Sequence, residues 1–231
     1  MKKTPLLACS ILILISGPGR ADVEKVYHPY VEGHKSDVEF QSLYKLDDDP
    51  QIDGGQRYRL ALGHSLTDRV SVEGYLIGNK TADKSLALDS FEFEGKWQLT
   101  EQGEYSSDWG LLLELERNTR LSEWSTSVAL LWEKQWPRWT LAGNLFFGYE
   151  GGSLADEIET QLRGQLKYRL SPAFEPALEM YVDEYTRGIG PVFLGTKRLG
   201  VNQLHWELGF IIGTKSNAPD GNLRFLLEYE F

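Results

Sequence analysis

The 231-residue sequence has one cysteine and two methionines. Cys9 lies in an amino-terminal apolar stretch, so the rest of the chain has neither disulfide bonds nor thiolate chemistry. One methionine is the initiator, and a single remaining methionine argues against a copper-handling protein. Beyond the amino-terminal stretch there is no long apolar run, whereas a transmembrane helix needs about 20 apolar residues. These absences exclude a disulfide-stabilised domain and a bundle of membrane-spanning helices.

Basic residues are outnumbered as well. The chain has 24 lysines and arginines against 34 aspartates and glutamates, a formal net charge of −10. A protein that binds the phosphate backbone of a nucleic acid needs the opposite excess, because it must neutralise phosphates. We therefore expect no nucleic-acid partner.

The first residues have the three parts of a secretory signal peptide. Two lysines precede an apolar stretch over residues 6–15, and small residues precede a cleavage position after Ala21. The stretch is too short to cross a membrane as a helix. We predict a signal peptide over residues 1–21 and a mature domain over residues 22–231. Cleavage would remove only basic charges, so the mature chain would be still more acidic.

Alternation of apolar and polar residues fills the mature chain. In the stretch FEFEGKWQL, Phe91 and Phe93 share one face, and Glu92 and Glu94 share the other. Such alternation predicts a strand with one apolar and one polar face. The pattern recurs in about twelve segments: 25–46, 54–64, 69–78, 86–99, 107–117, 123–135, 138–150, 156–170, 173–183, 188–197, 202–213 and 221–231.

The first of these segments, 25–46, is too long for one plain strand. Gly33 predicts a kink or a bulge within it, because glycine inside a strand commonly marks such a place. Alternatively, the segment is a short plug followed by a strand. The strand count depends on which interpretation holds, so 10 or 14 strands stay open beside 12.

The connections and the aromatic residues indicate what the apolar face contacts. Short turns alternate with longer loops rich in glycine, aspartate and asparagine, and tryptophans cluster near the short turns, as in an outer-membrane barrel. A soluble β-sandwich also alternates, but it buries the apolar face. An exported chain without apolar helices can span a membrane only as a closed barrel. We predict an all-β protein, a single transmembrane antiparallel up-and-down β-barrel of about 12 strands in the bacterial outer membrane.

Several stretches resemble a family of Gram-negative outer-membrane barrels. These stretches are YRLALGHSLTDRVSVEGYLIG (58–78), FEGKWQLTEQGEYSSDWGLLLELER (93–117) and YRLSPAFEPALEMY (168–181). The family is poorly characterised and is grouped with transporter-like and phenol-degradation-pathway barrels. In size and strand count the chain also resembles the small oligosaccharide porins, more weakly. The final strand LRFLLEYEF resembles the strand by which the barrel-assembly machinery recognises its substrates. The resemblance implies contact with that machinery through Phe231, and with outer-membrane lipid and lipopolysaccharide.

The polar faces of the predicted strands are highly charged. In a barrel of about twelve strands these side chains face an interior between the filled eight-stranded type and the open sixteen-stranded porins. One hypothesis is a narrow water-filled pore for small hydrophilic solutes or ions, whose charges set its selectivity. The other is an interior closed by ion pairs, with a structural or surface-binding role. The predicted pore-lining residues are Arg57, Arg59, Glu92, Glu94, Lys96, Glu114, Glu116, Arg163, Lys167, Arg169, Glu207 and Arg224.

Enzyme and metal chemistry are weakly indicated. A lipid-modifying enzyme would need a serine beside a histidine, and His64 and Ser65 are adjacent. Neighbours on a strand point to opposite faces, so this pair cannot share a proton. The acidic stretch between Asp47 and Asp53 has carboxylates that Ca²⁺ could use, but it lacks the spacing of an EF-hand loop. We predict no catalytic residue, no cofactor and no metal.

Overall fold

The computed structural model describes residues 23–81, 85–120, 123–151, 157–184, 187–214 and 218–231. The predicted signal peptide, with its cleavage position, lies outside the described residues. Twelve strands are present in the described part of the chain. They are β1 (Ser36–Leu46), β2 (Gln56–Thr67), β3 (Val70–Lys80), β4 (Ala87–Gln98), β5 (Asp108–Asn118), β6 (Trp124–Gln135), β7 (Trp139–Gly151), β8 (Glu157–Tyr168), β9 (Glu175–Val182), β10 (Arg187–Leu199), β11 (Asn202–Gly213) and β12 (Gly221–Glu230).

The strands form one closed antiparallel barrel. Each strand pairs with its neighbours in the sequence, and β1 pairs with β12 to close the sheet. The closing register places Asp37 opposite Glu230 and Leu46 opposite Gly221. The predicted fold class and the count of 12 strands are confirmed. The described residues include no helix long and apolar enough to cross a membrane.

The alternation separates an apolar outer face from a charged interior. Phe93 is 52% exposed on the outside of β4, whereas its neighbour Glu94 is 2% exposed inside. A sandwich would bury Phe93, so that alternative is wrong for this chain. Leu226 interrupts the alternation of the last strand, and it points inward, where it is buried.

The two rims of the barrel differ in their aromatic content. Ser36 and Phe231 lie at one rim, joined by two backbone hydrogen bonds of 2.9 and 2.8 Å; we name it the C-terminal rim and the other the loop rim. At the C-terminal rim the rings of Trp139 and Tyr168 are in contact, with centroids 4.9 Å apart. Exposed aromatics on both sides of the turns continue this belt: Trp97, Trp109, Trp136, Phe174, Tyr229 and Phe231. Such rings favour a membrane–water interface.

The lengths of the connections distinguish the rims less clearly than predicted. Residues 68–69 and 200–201 form short turns at the C-terminal rim, but residues 99–107 at this rim form a connection as long as residues 47–55 at the loop rim. The long turn has its own hydrogen bonds, including Gly103 N–H to Asp108 Oδ1 at 3.0 Å. The aromatic belt is therefore the better marker of orientation.

The first predicted segment divides into two parts. β1 begins at Ser36. Residues 23–35, which we name the amino-terminal segment, have no strand structure and contact the interior wall. Gly33 lies in the turn that precedes β1, next to His34 with a φ of 61°. The expected kink or bulge inside a strand is wrong, and the plug followed by a strand is confirmed. Pro29 lacks an N–H group, which disfavours strand pairing here.

Candidate functional site in the barrel interior

All of the predicted pore-lining residues face the interior. Eleven of them lie on the polar side of their strands, and Arg169 follows the end of β8 and lines a cavity at the C-terminal rim. Arg57, Arg59, Glu92, Glu94, Arg163 and Arg224 are buried there. The remaining six are partly accessible from cavities in the interior: Lys96, Glu114, Glu116, Lys167, Arg169 and Glu207. The sequence therefore predicts the orientation of these side chains, whereas their ion-pair and hydrogen-bond partners are known only from the structure.

Four arginines form a layer across the interior, close to Glu24 of the amino-terminal segment. We name Arg57, Arg59, Arg163 and Arg224 the arginine layer; none of them is more than 7% exposed. The Glu24 carboxylate forms an ion pair with Arg59 and lies 3.4 Å from Arg163 Nη2 and 3.7 Å from Arg57 Nη2. Arg224 donates to the backbone carbonyl of Glu24. The segment is thus attached to arginines from three different strands.

The arginines also pair with carboxylates of neighbouring strands. Arg59 Nη2 donates to Glu94 Oε1 at 3.0 Å and to Glu92, so the acidic face of β4 is partly neutralised from β2. Arg224 Nη2 lies 2.9 Å from both Glu179 and Glu207. Buried charges require such pairing, because an isolated charge in a water-poor interior is costly.

Lys25 extends away from the arginines into a separate acidic pocket. Its Nζ lies 2.7 Å from Glu39 Oε2 and 3.8 Å from Glu73 Oε2, and donates to the hydroxyl of Tyr75 at 3.2 Å. Glu39 is 2% exposed, and the ammonium group of Lys25 is its partner in a buried ion pair. Consecutive residues of the segment therefore occupy sites of opposite charge.

The part of the amino-terminal segment nearer the C-terminal rim contacts a third group of wall residues. His28 Nδ1 forms a short contact with Glu133, and the Tyr30 hydroxyl donates to Asp108 Oδ2 at 2.7 Å. At the end of the segment, Lys35 Nζ lies 2.7 Å from Glu230 Oε1. The hydrogen bond to Glu230 raises the pKa of Lys35 above its ordinary value, so this lysine stays charged at physiological pH.

Cavities remain on both sides of the arginine layer. A cavity of about 140 Å³ opens toward the loop rim and is lined by Glu24, Glu114 and Glu116. An inner cavity of about 200 Å³ runs beside Lys25 and Tyr27, and a cavity of about 440 Å³ adjoins it at the C-terminal rim. The inner cavity shares Lys96, Lys167, Thr196, His205 and Glu228 with the larger one. The boundary between the loop-rim cavity and the inner cavity falls between Glu24 and Lys25.

The predicted basic stripe on β8 is divided by this arrangement. Arg163 belongs to the arginine layer, whereas Lys167 and Arg169 line the cavity at the C-terminal rim. Lys167 Nζ lies 3.3 Å from Glu175, and Arg169 Nη1 donates to Gln135 Oε1 at 3.3 Å. The three basic groups therefore act at two depths of the interior.

The enzyme and metal alternatives gain little from the geometry. His64 is exposed on the outer face and Ser65 is buried inside, as the strand period requires; His64 Nδ1 lies 2.9 Å from Ser36 Oγ instead. In the acidic loop, the Asp47 and Asp49 carboxylates accept from the backbone N–H groups of Asp49 and Gln51 at 2.7 and 2.9 Å. These carboxylates have a structural role in the turn.

One cluster of potential metal ligands occurs in the described residues. His205, Glu228 and Glu230 bring their ligand atoms within 4.8 Å of one another at the C-terminal rim. Lys35 already provides a positive charge to Glu230. The cluster is therefore adequately explained by charge pairing.

Sequence reasoning missed the residues of the amino-terminal segment and the uncharged wall residues that hold it. Lys25, Tyr27 and His28 lie in segment 25–46, whose alternation resembles that of the strands, and Glu24 directly precedes it. Asn144 resembles any other polar position of a strand. The only signal was Pro29 inside an apparent strand, which argues against strand pairing. This proline within the long first segment could have favoured the interpretation as a plug followed by a strand.

Comparisons with known proteins agree with the architecture. No family model matches the sequence, and no curated protein matches it. The COG4313 outer membrane channel from Pseudomonas putida F1 is similar in structure, with a TM-score of 0.56, 15% identity, and 93% of this chain and 98% of that chain covered. The KdgM porin in complex with disordered oligogalacturonate has a TM-score of 0.54 and 9% identity, covering 84% of this chain and 98% of that chain. At such identities the likeness establishes the fold alone.

Fold and interior together define the class: a twelve-stranded barrel with an apolar outside and a charged inside, built like outer-membrane porins and channels. The narrower likeness to transporter-like and phenol-degradation-pathway barrels stays a prediction from the sequence.

Proposed function

We propose that the protein is an outer-membrane channel that lets small hydrophilic solutes or ions pass through a narrow charged interior. Its amino-terminal segment occupies this interior and narrows it. In this proposal the apolar outer face contacts lipid and lipopolysaccharide, and the aromatic belt of the C-terminal rim lies at one membrane surface.

One observation carries the proposal. Cavities enter the barrel from both rims, and the boundary between them falls between two consecutive residues, Glu24 and Lys25. Charged groups line the cavities on both sides, and such groups can replace part of the hydration shell of an ion. A displacement of the segment, together with a rearrangement of the arginines that bind it, would therefore connect the two cavities.

A second candidate is a non-conducting barrel with a structural or surface-binding role. It is favoured by the number of side chains that hold the amino-terminal segment, from Arg59 near the loop-rim cavity to Glu230 at the C-terminal rim. In this case the segment is a permanent part of the interior packing.

Single-channel recording in planar lipid bilayers separates the two candidates. We expect discrete unit currents from the purified full-length protein, and longer-lived openings from the Glu24→Ala variant, which lacks the central ion pair. Folding is checked by the difference in gel migration between heated and unheated samples. Silence from both folded proteins would favour the non-conducting barrel.

A further inference from the structure

The wall of the barrel holds the main chain of the amino-terminal segment as well as its side chains. The backbone carbonyl of Glu24 accepts from Arg224 and Tyr181, and that of Lys25 accepts from Arg163 Nη1 at 3.1 Å. These donors contact atoms that every amino acid possesses.

Asn144 makes the most complete of these contacts. Its Oδ1 accepts from the N–H of Tyr27 at 2.8 Å, and its Nδ2 donates to the carbonyl of the same residue at 2.8 Å. Asn144 is fully buried on β7, so both contacts are shielded from water. The side-chain amide thus matches one residue of an extended chain at both its donor and its acceptor, as a neighbouring strand would.

The recognition continues toward the C-terminal rim. Gln98 Oε1 accepts from the N–H of Val31 at 2.8 Å, and Ser65 Oγ donates to the carbonyl of Glu32 at 2.6 Å. The polar contacts to the main chain therefore extend over nine residues of the segment, from Glu24 to Glu32, and come from six different strands.

Side-chain sites alternate along the same path. The arginine layer binds the carboxylate of Glu24, Glu39 binds the ammonium of Lys25, and an apolar cluster with Leu43 and Val192 surrounds Val26. The interior consequently offers an acid-binding, a base-binding and an apolar site at successive residue spacings.

We infer that the barrel interior is a binding site for extended oligopeptides, and that the amino-terminal segment is its built-in occupant. The inference rests on the proposed channel function and names peptides as the solute class. Neighbouring hydroxyls of a sugar could also bind Asn144, but a sugar lacks the N–H and carbonyl groups that the wall binds along the segment at Tyr27, Val31 and Glu32, and an inorganic ion would use the charged groups alone. The main-chain contacts are what single out a peptide.

The test uses the full-length chain with the segment loosened. In the Glu24→Ala/Tyr27→Ala variant the wall is intact, but the segment loses its ion pair to Arg59 and its hydrogen bond to Glu94. A fluorescent synthetic peptide with the sequence EKVYHPYVE, which copies residues 24–32, is titrated with this variant in detergent, and its anisotropy is measured. We expect saturable binding to the variant and at least tenfold weaker binding to the unaltered protein, whose site is filled.

Two matched controls test main-chain recognition. In the first control, the peptide carries N-methyl-tyrosine at the position that corresponds to Tyr27, and so lacks the N–H group that donates to Asn144. We expect this peptide to bind about tenfold more weakly, as the loss of one buried hydrogen bond predicts. In the second control, Asn144→Leu is added to the Glu24→Ala/Tyr27→Ala variant. This change should weaken the binding of the unmodified peptide by a similar factor. If methylation has no effect, or if an acidic oligosaccharide of similar length binds equally well, the peptide inference is wrong.

Peptide binding and ion conduction are measured separately, so a failure of the peptide inference can be distinguished from a failure of the proposed channel function. A loosened variant that conducts ions but binds no peptide overturns the inference and leaves the proposed channel intact. A variant that binds the peptide but carries no current, before or after washing, supports the peptide site and contradicts the channel. If the double variant does not fold, Glu24→Ala alone is used in the same titration, with the same two controls.

Discussion

Glu24 and Arg59 form an ion pair inside the barrel, joining the amino-terminal segment to the wall strand β2. Arg59 simultaneously holds Glu92 and Glu94 of β4. One guanidinium therefore connects two wall strands to the segment residue that lies beside the loop-rim cavity, and the first prediction concerns this contact.

Glu24→Ala should increase the fraction of time in which the channel conducts. Removing one partner of a buried ion pair typically destabilises a protein by about 3–5 kcal/mol, so the segment is held less tightly in the interior. We expect at least a tenfold rise in open time. Single-channel recording provides the measurement. Glu32→Ala is the control, because Glu32 lies 3.9 Å from Lys35, far from the arginine layer, and should leave open time unchanged. Equal effects of both changes would contradict the role of Glu24.

Gly110→Leu should displace the amino-terminal segment without altering any charge. A Cβ atom at Gly110 would lie 3.0 Å from Pro29 Cβ and 3.1 Å from its Cα, so a larger side chain needs the space that Pro29 occupies. We expect longer openings in the same recordings. Gly74→Leu is the control, because a Cβ there meets nothing within 4 Å. Openings of a folded Gly110→Leu protein that are no longer than those of the unaltered protein would show that the segment does not limit conduction.

Replacing Arg163, Lys167 and Arg169 by glutamate should shift ion selectivity toward cations. All three face the interior, so the triple change reverses the charge of the lining at two depths. The reversal potential in a salt gradient measures the effect. The same change at the exposed Arg69, Arg138 and Lys197 is the control, with an equal change of net charge outside the interior. Indistinguishable reversal potentials for the two triple variants would show that Arg163, Lys167 and Arg169 do not line the path of the ions.

Phe231→Ala should lower the amount of protein that reaches the outer membrane. Phe231 ends the chain at the C-terminal rim, where its ring packs against Tyr229 at 5.8 Å and its backbone pairs with Ser36. We predict that the assembly machinery recognises this end. Fractionation followed by the gel-migration assay measures the folded amount, and Phe225→Ala, on the same outer face but nearer the middle of β12, is the control. An equal loss of folded outer-membrane protein in the Phe231→Ala and Phe225→Ala variants would indicate that both changes only destabilise the barrel.

The mature protein should begin at Asp22, as the sequence predicts. Intact-mass measurement of the protein purified from the outer membrane tests this start, and the mature chain should then contain no cysteine that reacts with a maleimide. A mass that includes residues 1–21 would contradict the signal peptide.

Most of the barrel was predictable because the side-chain period of a strand is visible in the sequence. The prediction of a strand over 202–213 matches β11, and the inward orientation of Arg57 and Glu207 follows from the same period. The place of the amino-terminal segment was not predictable in this way. Tyr27 and Asn144 are 117 positions apart, and no local pattern encodes a contact between them. The arginines could be assigned to the interior, but their shared partner Glu24 could not.

The mode of attachment of the amino-terminal segment has a mechanical consequence. In the described residues, its hydrogen bonds to the wall come from side chains, until the carbonyl of Lys35 accepts from the backbone N–H of Ser65 at 2.9 Å. Gly33 and His34 form the turn just before this point. The segment can therefore rotate about its junction with β1 while the backbone hydrogen bonds between the strands stay formed. Departure of the segment from the interior would break hydrogen bonds and ion pairs of side chains, such as Glu24 with Arg59, but no backbone hydrogen bond between two strands.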